Sequence, residues 1–331
     1  MNIAVFGWYH HQNAGDDRMQ QCITRWFDGH TLAFLPAGRP VPMELLRTYD
    51  AVILGGGGIV TSRGGMFRDV ASWVRRFGGP VALCGVSVEN LSNDLARELR
   101  SALDLMSFAW FRDQGSLEAL GAHPKAFVAP DLTWLYPFEQ RPSGQGTAIG
   151  LRREGELPVD EWRAAFDEVD GPRRPWPLYF ESGGDAELAE RLLGLAPGSV
   201  EPEFSLEPAR GAARIVTGRF HGLIFGMQLG RPVLTVSSRP KVVRFLEEHG
   251  LGEWRVDEDD PGGFRVLWPR FLDAEEEIRD RVLELRTRLI RGVDERTRDP
   301  LRRFLDQAAA SRRRRGGVRS ALRRMVSRTN S

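Results

Sequence analysis

Apolar runs alternate with amphipathic segments along the first 135 residues of the chain. The runs NIAVFG, TLAFLP, DAVILGGGG, PVALCGVSV, SFAWFRD and AFVAPD predict strands, and the segments between them predict helices. In the segment 67–77, for example, Val70, Val74 and Phe77 recur at helical spacing. Continuous apolar strands separated by helices indicate a parallel sheet that is covered on both faces.

The alternation restarts after YPFEQRPSGQG, a stretch rich in Pro, Gly and Ser that is the best linker candidate. Strands are predicted at TAIGLR, WPLYFES, ARIVTG and PVLTVSS, with helices between them. We therefore expect an α/β protein with two doubly wound Rossmann-like domains, residues 1–143 and 144–270, and a cleft between them. Ligands of such folds bind at the carboxyl ends of the strands.

The C-terminal part of the chain is charged. Residues 271–310 predict one or two long amphipathic helices, interrupted once at Asp299 and Pro300. Residues 311–331 form a basic tail with eight arginines and no acid, although the whole chain has a net charge of +1. Such a tail favours an anionic surface as a partner, and the alternative is a solvated, disordered tail.

Composition narrows the class of protein. An apolar fraction of 41% and a charged fraction of 27% are ordinary for a globular protein. The two cysteines form no CxxC pair, no apolar run reaches membrane-spanning length, and no signal peptide is expected. We expect a cytoplasmic protein without a nucleic-acid partner. Apolar residues at helical spacing in 318–326 would let the tail dock on an anionic membrane at its inner face.

Polar residues follow the first predicted strand, in GWYHHQNAGDD. Asn13, Gly15 and Asp16 lie where this loop becomes a helix. Asp16 or Asp17 could be a helix N-cap, which is a common role for aspartate. Two carboxylates beside Asn-x-Gly at the carboxyl end of a strand also suit a catalytic Asp16.

Four consecutive glycines, residues 55–58, follow a later strand. Glycine lets the backbone approach a ligand or adopt positive φ, so Gly56 and Gly57 are candidate substrate-binding residues. The pattern is neither a dinucleotide fingerprint nor a Walker loop. A tight turn explains it equally well.

Arginines follow three further strands. Arg112 ends SFAWFRD, and Arg152 follows TAIGLR; each could extend to solvent or hold a carboxylate or phosphate with its planar fork. Arg219 and His221 lie at the N-terminus of the helix predicted after ARIVTG, where free N–H groups favour anions. We predict that Arg219 binds an anionic substrate and that His221 transfers a proton. The alternative for His221 is a hydrogen-bonded core histidine.

Several motifs occur together, in order, between residues 1 and 250. They are NAGD, DAVILGGGG, RDQGS followed by APD, AIGLR, RFHGLIFGMQLGRP and SSRPK. With these motifs the chain resembles the polysaccharide pyruvyl transferase family. It has GVSVENL where the family often has G-Q-G-I-G-P, and the basic tail lies outside the family pattern.

The resemblance implies a fold similar to two-domain GT-B glycosyltransferases. It also implies transfer of a carboxyethylidene group from phosphoenolpyruvate to a sugar of a cell-surface polysaccharide or its precursor, free or lipid-linked. The matching anion-binding residues are Arg112, Arg219 and His221, with Lys241 in the last motif, and the matching aspartate is Asp16. His221 is then the candidate acid and Asp16 the candidate base.

Two other functions fit the same pattern. A GT-B glycosyltransferase that uses a nucleotide sugar needs similar glycine loops and anion sites. A non-catalytic sugar- or anion-binding protein would keep Arg219 without needing Asp16 and His221 together. No cofactor and no metal site are predicted, because arginines can neutralise the phosphate; His10 and His11 are adjacent loop residues, which are usually not ligands.

Overall fold

The computed structural model describes residues 1–36, 41–61, 67, 70–89, 91–152, 157–181 and 184–329, without the side chains of 61, 89 and 315–329. The chain folds into two compact units. The first comprises Met1–Tyr9, Met19–Leu135 and Gly292–Ser331, and the second comprises His10–Arg18 and Tyr136–Arg291. The predicted ranges 1–143 and 144–270 are single stretches, whereas each unit is assembled from separate stretches.

The first unit is built on a six-stranded parallel sheet in the order β2-β1-β3-β4-β5-β6. Its strands are apolar because both faces are covered; Ile3, Ala4 and Val5 of β1, for example, are fully buried. The strands are β1 (Asn2–Gly7), β2 (Thr31–Pro36), β3 (Ala51–Thr61), β4 (Val81–Glu89), β5 (Phe108–Phe111) and β6 (Ala126–Val128). The helices are α1 (Ala14–Trp26), α2 (Met43–Leu46), α3 (Val70–Phe77), α4 (Asn93–Leu103) and α5 (Gln114–Leu120).

The second unit is built on a five-stranded parallel sheet in the order β11-β10-β9-β7-β8. Its strands are β7 (Thr147–Gly150), β8 (Arg173–Pro175), β9 (Arg214–Thr217), β10 (Val233–Val236) and β11 (Arg255–Val256). Its helices are α6 (Val159–Asp167), α7 (Gly184–Leu193), α8 (Glu207–Arg210), α9 (Phe220–Gln228), α10 (Pro240–Glu248) and α11 (Pro261–Asp273).

The strand orders confirm the predicted pair of doubly wound α/β domains. In each sheet the order reverses once, between β1 and β3 in the first unit and between β7 and β9 in the second. Ligands of open parallel sheets bind beside the carboxyl ends of the strands at such a reversal. These two places therefore determine where a site is sought within each unit.

The strand predicted at WPLYFES is wrong. The edge strand β8 instead covers Arg173–Pro175, and among the described residues of the predicted stretch, 176–181, only Tyr179 forms a bridge, with Asn13. The apolar pattern does not reveal this strand, because its residues are Arg, Arg and Pro. An edge strand can carry such residues, and all three positions of β8 are only half-buried.

The interruption predicted at Asp299 and Pro300 is also wrong, because helix α12 runs through Pro300 from Glu275 to Thr329. Buried side chains continue on both sides of the proline, with Val293 at 1% exposure and Phe304 at 0%. Packing of this face offsets the one backbone hydrogen bond that the proline removes. Within the described residues, no helix is both long enough and apolar enough to cross a membrane.

Candidate functional site

The loop after β1 is hydrogen-bonded to the segment 178–180 of the second unit. Ala14 N donates to Leu178 O at 2.9 Å, and Phe180 N donates to Gln12 O at 3.1 Å. Two residues of this loop that are not glycine, His10 and Gln12, have φ of 66° and 50°. Such backbone conformations cost energy and persist where the surroundings hold them, often at functional sites.

Asn13 caps helix α1. Its side-chain oxygen accepts from Gly15 N at 3.1 Å, and the helix begins at Ala14. The N-cap role considered for Asp16 and Asp17 therefore falls to Asn13 instead. Asp16 is buried, at 8% exposure. Burial raises the pKa of the Asp17 carboxyl, and His10 and His11 partly oppose this shift.

Gly15 lies against the ring of His221. A Cβ added at Gly15 would be 1.9 Å from His221 Nδ1, so any side chain here would have to displace the imidazole ring. On its other sides the half-buried imidazole lies 5.7 Å from the Phe220 ring and 5.9 Å from the Phe225 ring. The structure thus brings the first turn of α1, which carries Asp16, to the histidine at the start of α9.

Arg219 is the N-cap residue of α9, as the sequence predicts, but its fork is already engaged. Nε donates to Asp185 Oδ2 at 2.8 Å and Nη2 donates to Asp185 Oδ1 at 2.5 Å. The Asp185 side chain is fully buried and that of Arg219 is 16% exposed. An incoming anion would therefore contact Arg219 through Nη1 or displace Asp185, and the predicted binding of an anionic substrate by Arg219 stays a prediction.

A polar chain continues from Arg219 to the loop after β1. The guanidinium lies 5.1 Å from the centre of the Tyr179 ring, and Tyr179 donates to Glu181 Oε2 at 2.7 Å. His11 Nδ1 lies 3.5 Å from the same carboxylate oxygen. The Tyr179 hydrogen bond lowers the pKa of Glu181, so a carboxylate stays charged beside His11.

Basic residues also follow β7 and β10, the two strands that flank β9. Arg152 follows β7 and is 8% exposed. It lies beside Gly218, since a Cβ added there would be 3.2 Å from Arg152 N. Lys241 is the second residue of α10, which follows β10. Arg152, Arg219 and Lys241 thus follow neighbouring strands at one edge of the sheet, two of them at the reversal of strand order.

Arg112 belongs to a buried cluster of the first unit. Its Nη1 donates to Asp131 Oδ2 at 3.0 Å and its Nη2 to Ser87 Oγ at 2.7 Å. The Arg112 and Asp131 side chains are 3% and 2% exposed. This geometry contradicts the expectation that Arg112 extends to solvent, since the arginine neutralises a buried aspartate. Binding of a substrate anion by Arg112 stays a prediction.

Gly56 and Gly57 have φ of 90° and 83°, within the long strand β3. A Cβ at Gly56 would lie 3.1 Å from Met19 Sδ and 3.4 Å from the Tyr9 hydroxyl, which donates to Gly55 O at 2.6 Å. Backbone conformation and close packing thus require glycine here. A role of these glycines in substrate binding stays a prediction.

Sequence reasoning missed Asp185 and Tyr179. Asp185 reads as an ordinary helix-start carboxylate, and it precedes its partner Arg219 by 34 residues. The signal available in the sequence was the GGD stretch that ends at Asp185. Its second glycine, Gly184, has φ of 39°, and a Cβ added there would lie 2.1 Å from Tyr179 O. Within the part of the chain that the structure describes, no cluster of three His, Cys, Asp or Glu side chains could hold a metal ion.

Solved structures share this fold at low sequence identity. The calicheamicin glycosyltransferase CalG4 matches with a TM-score of 0.53 at 12% identity, over 92% of this chain and 98% of its own. The UDP-GlcNAc 2-epimerase of Neisseria meningitidis, bound to UDP-GlcNAc, gives 0.53 at 13% over 85% and 94%. HepE of Anabaena, in complex with UDP and glucose, gives 0.57 at 11% over 91% and 99%. The fold is thus GT-B-like.

Sequence comparison with curated proteins found no match. A model of the polysaccharide pyruvyl transferase family, by contrast, matches residues 9–240. The matched region runs from the loop after β1 to the start of α10, so it includes Asn13, Gly15, Asp16, Arg219 and His221.

Proposed function

Since the chain belongs to the polysaccharide pyruvyl transferase family, we propose that it transfers the carboxyethylidene group of phosphoenolpyruvate to hydroxyls of a sugar in a cell-surface polysaccharide or its precursor. The observation that best supports this proposal is the contact of Gly15 with His221. It places a candidate acid against the helix turn that carries a candidate base, Asp16. The helix N-terminus under His221 also favours an anionic donor.

The donor carries a carboxylate and a phosphate. Arg152, Arg219 and Lys241 supply positive charge at the carboxyl edge of the second sheet. Arg219 contributes through Nη1, since Asp185 engages Nε and Nη2. Charge-assisted hydrogen bonds of this kind are the strong ones, and arginine suits both anionic groups.

The reaction needs a proton at the methylene carbon and a nucleophile at the enol carbon. His221 donates the proton, which forms a methyl group, and a sugar hydroxyl attacks the enol carbon while Asp16 accepts its proton. The bond from the enol carbon to the phosphate oxygen then breaks. A second hydroxyl closes the ketal, and its proton leaves with inorganic phosphate. The balance requires no cofactor, and the arginines offset the negative charge of the leaving phosphate.

We place this reaction in the cytoplasm, where phosphoenolpyruvate is available. Both cysteines, Cys22 and Cys84, are buried thiols, as suits a reducing compartment. The acceptor sugar would be a free, lipid-linked or polymeric glycan.

A phosphate-release assay with phosphoenolpyruvate and a panel of glycans tests the proposal, with ketal formation followed by the new methyl signal in NMR. The matched control is His221→Ala, which should bind the donor but release phosphate far more slowly. In a thermal-shift assay, phosphoenolpyruvate at 100 times its Kd should stabilise the protein by about 2.7 kcal/mol.

The second candidate is a glycosyltransferase that uses a nucleotide sugar, because one solved structure of this fold, HepE, holds UDP and glucose. UDP- and GDP-sugars therefore belong in the same thermal-shift screen. Stabilisation by a nucleotide sugar, with no response to phosphoenolpyruvate, would reject the pyruvyl transfer proposal. Stabilisation by phosphoenolpyruvate without phosphate release on any glycan would favour a binding protein.

A further inference from the structure

The amino ends of strands β2 to β6 form one edge of the first sheet, opposite the edge at which ligands bind. The six residues before each of these strands include five basic and three acidic side chains. They are Arg25, Arg47, Arg75, Arg76 and Lys125, and Asp28, Asp50 and Asp104. Together with residues 312–314 of helix α12 we name this surface the amino-edge face. It carries eight basic and three acidic groups, a net charge of +5.

Helix α12 ties its arginines to this face. Arg312 Nη1 lies 4.0 Å from Asp50 Oδ2, and Gln307 Oε1 accepts from Ser107 Oγ at 2.6 Å, just before β5. Arg312, Arg313 and Arg314 are all exposed. Beyond them the helix continues to Thr329, and its sequence adds five arginines and no acid.

Apolar groups are exposed among these charges. Leu45 and Leu105, at 45% and 37% exposure, precede β3 and β5. Leu105 also lines a cavity of about 570 Å³, together with Ser107, Lys125 and Arg314. The cavity thus offers two cations beside an apolar wall, a combination suited to a phosphate group attached to an acyl chain.

We propose that the amino-edge face and the arginine-rich end of α12 bind the surface of an anionic phospholipid bilayer. A net positive face attracts anionic headgroups, and leucines among the arginines can enter the headgroup layer. Nucleic acid would match the charge but not the exposed leucines. Docking by this face leaves the carboxyl edge of the sheet directed away from the bilayer. This inference does not depend on the proposed reaction.

The test is co-sedimentation of the full chain with phosphatidylcholine vesicles, with and without phosphatidylglycerol, at low and high salt. We expect binding only to the anionic vesicles and only at low salt. Each charge reversal should lower partitioning at least about five-fold. The variant R75E/R76E/R313E should therefore lose at least about 100-fold. The matched control R163E/R191E/R270E reverses three exposed arginines of the second unit and should bind normally.

A chain that ends at Ser311 provides a second variant, which removes residues 312–314 from the amino-edge face but keeps the charged residues before the strands. It should bind more weakly than the full chain, yet still respond to R75E/R76E. Equal binding by R75E/R76E/R313E and the control, or binding that ignores phosphatidylglycerol, would overturn the proposal. So would retention on nucleic acid at a salt concentration where anionic vesicles do not bind.

Discussion

The backbone of Gly15 packs directly against the imidazole of His221, with 1.9 Å between Nδ1 and the position that a Cβ would take. Because the loop before Gly15 is bonded to Leu178 and Phe180, helix α1 cannot simply move away. The glycine of the NAGD motif thus leaves the space that the His221 ring occupies.

Gly15→Ala should displace the His221 ring and lower turnover about 10²-fold, the size of effect that a misplacement of about 1 Å produces. The measurement is steady-state phosphate release from phosphoenolpyruvate. Gly262→Ala is the control, since its Cβ would meet only Asp260 Oδ1 at 3.6 Å. Normal turnover in Gly15→Ala would show that the position of His221 does not matter to the reaction.

His221→Ala should lower kcat by about 10²- to 10⁴-fold while leaving donor binding nearly unchanged, because a positioned acid acts mainly in the transition state. Turnover and a thermal-shift titration with phosphoenolpyruvate measure the two quantities separately. If kcat stays near the wild-type value, His221 is not the acid.

Asp185→Asn should raise KM for phosphoenolpyruvate, because Arg219 would lose its charged partner and its fixed position. A hydrogen bond to a charged group contributes about 1.5–3 kcal/mol, so stability should also fall by about that amount. Glu190→Gln is the matched control: this buried carboxylate on the same helix accepts from Val200 N, so its loss should affect stability alone. A lower KM in Asp185→Asn would mean that Asp185 competes with the substrate.

Arg112→Met should destabilise the protein by about 3–5 kcal/mol, because it leaves the buried Asp131 carboxylate unpaired. Urea unfolding at pH 7 measures this loss. KM for phosphoenolpyruvate should be unchanged in the folded fraction. Unchanged stability with a raised KM would instead support the binding of a substrate anion by Arg112.

His249 should make stability depend on pH. Burial, with a contribution from Arg288, lowers the pKa of His249 from 6.5 to about 4. The unfolded chain therefore binds the proton first, so stability is fully present above pH 6.5 and is lost as the pH falls towards 4. Allowing for partial solvent screening, the loss from pH 7 to 5 is up to about 2 kcal/mol. In urea unfolding at both pH values, His249→Asn should lose less free energy of unfolding between pH 7 and 5 than the wild type. An equal loss in the two proteins would show that His249 does not cause the pH dependence.

The sequence alone predicts much of the fold, because strands buried on both faces must be apolar along their whole length. NIAVFG and DAVILGGGG are examples, and they correspond to β1 and β3. The strand β8 is not predicted because it is a short edge strand composed of Arg, Arg and Pro. Pro300 predicts a helix interruption that the structure does not have, because local propensity does not include the packing of α12 through buried residues on both sides of the proline.

The sequence predicts which polar residues of the candidate site follow the strands, but it does not predict which of them form ion pairs with one another. The strand ARIVTG and the apolar helix after it place Arg219 and His221 at the start of α9, where the helix N-terminus favours an anion. That Arg219 binds Asp185 and that Arg112 binds Asp131 depends on distances between loops, which no local pattern encodes. An arginine after a strand therefore indicates an anion nearby, and the structure decides whether that anion belongs to the protein.

The division of the chain between the units constrains how this protein can be cut. The chain passes from one unit to the other four times, after Tyr9, Arg18, Leu135 and Arg291. A recombinant fragment covering 136–291 would keep His221 and Arg219 but lack Gly15 and Asp16, which His10–Arg18 supply to the same unit. Complementing it would take a nine-residue peptide rather than the missing half of the gene.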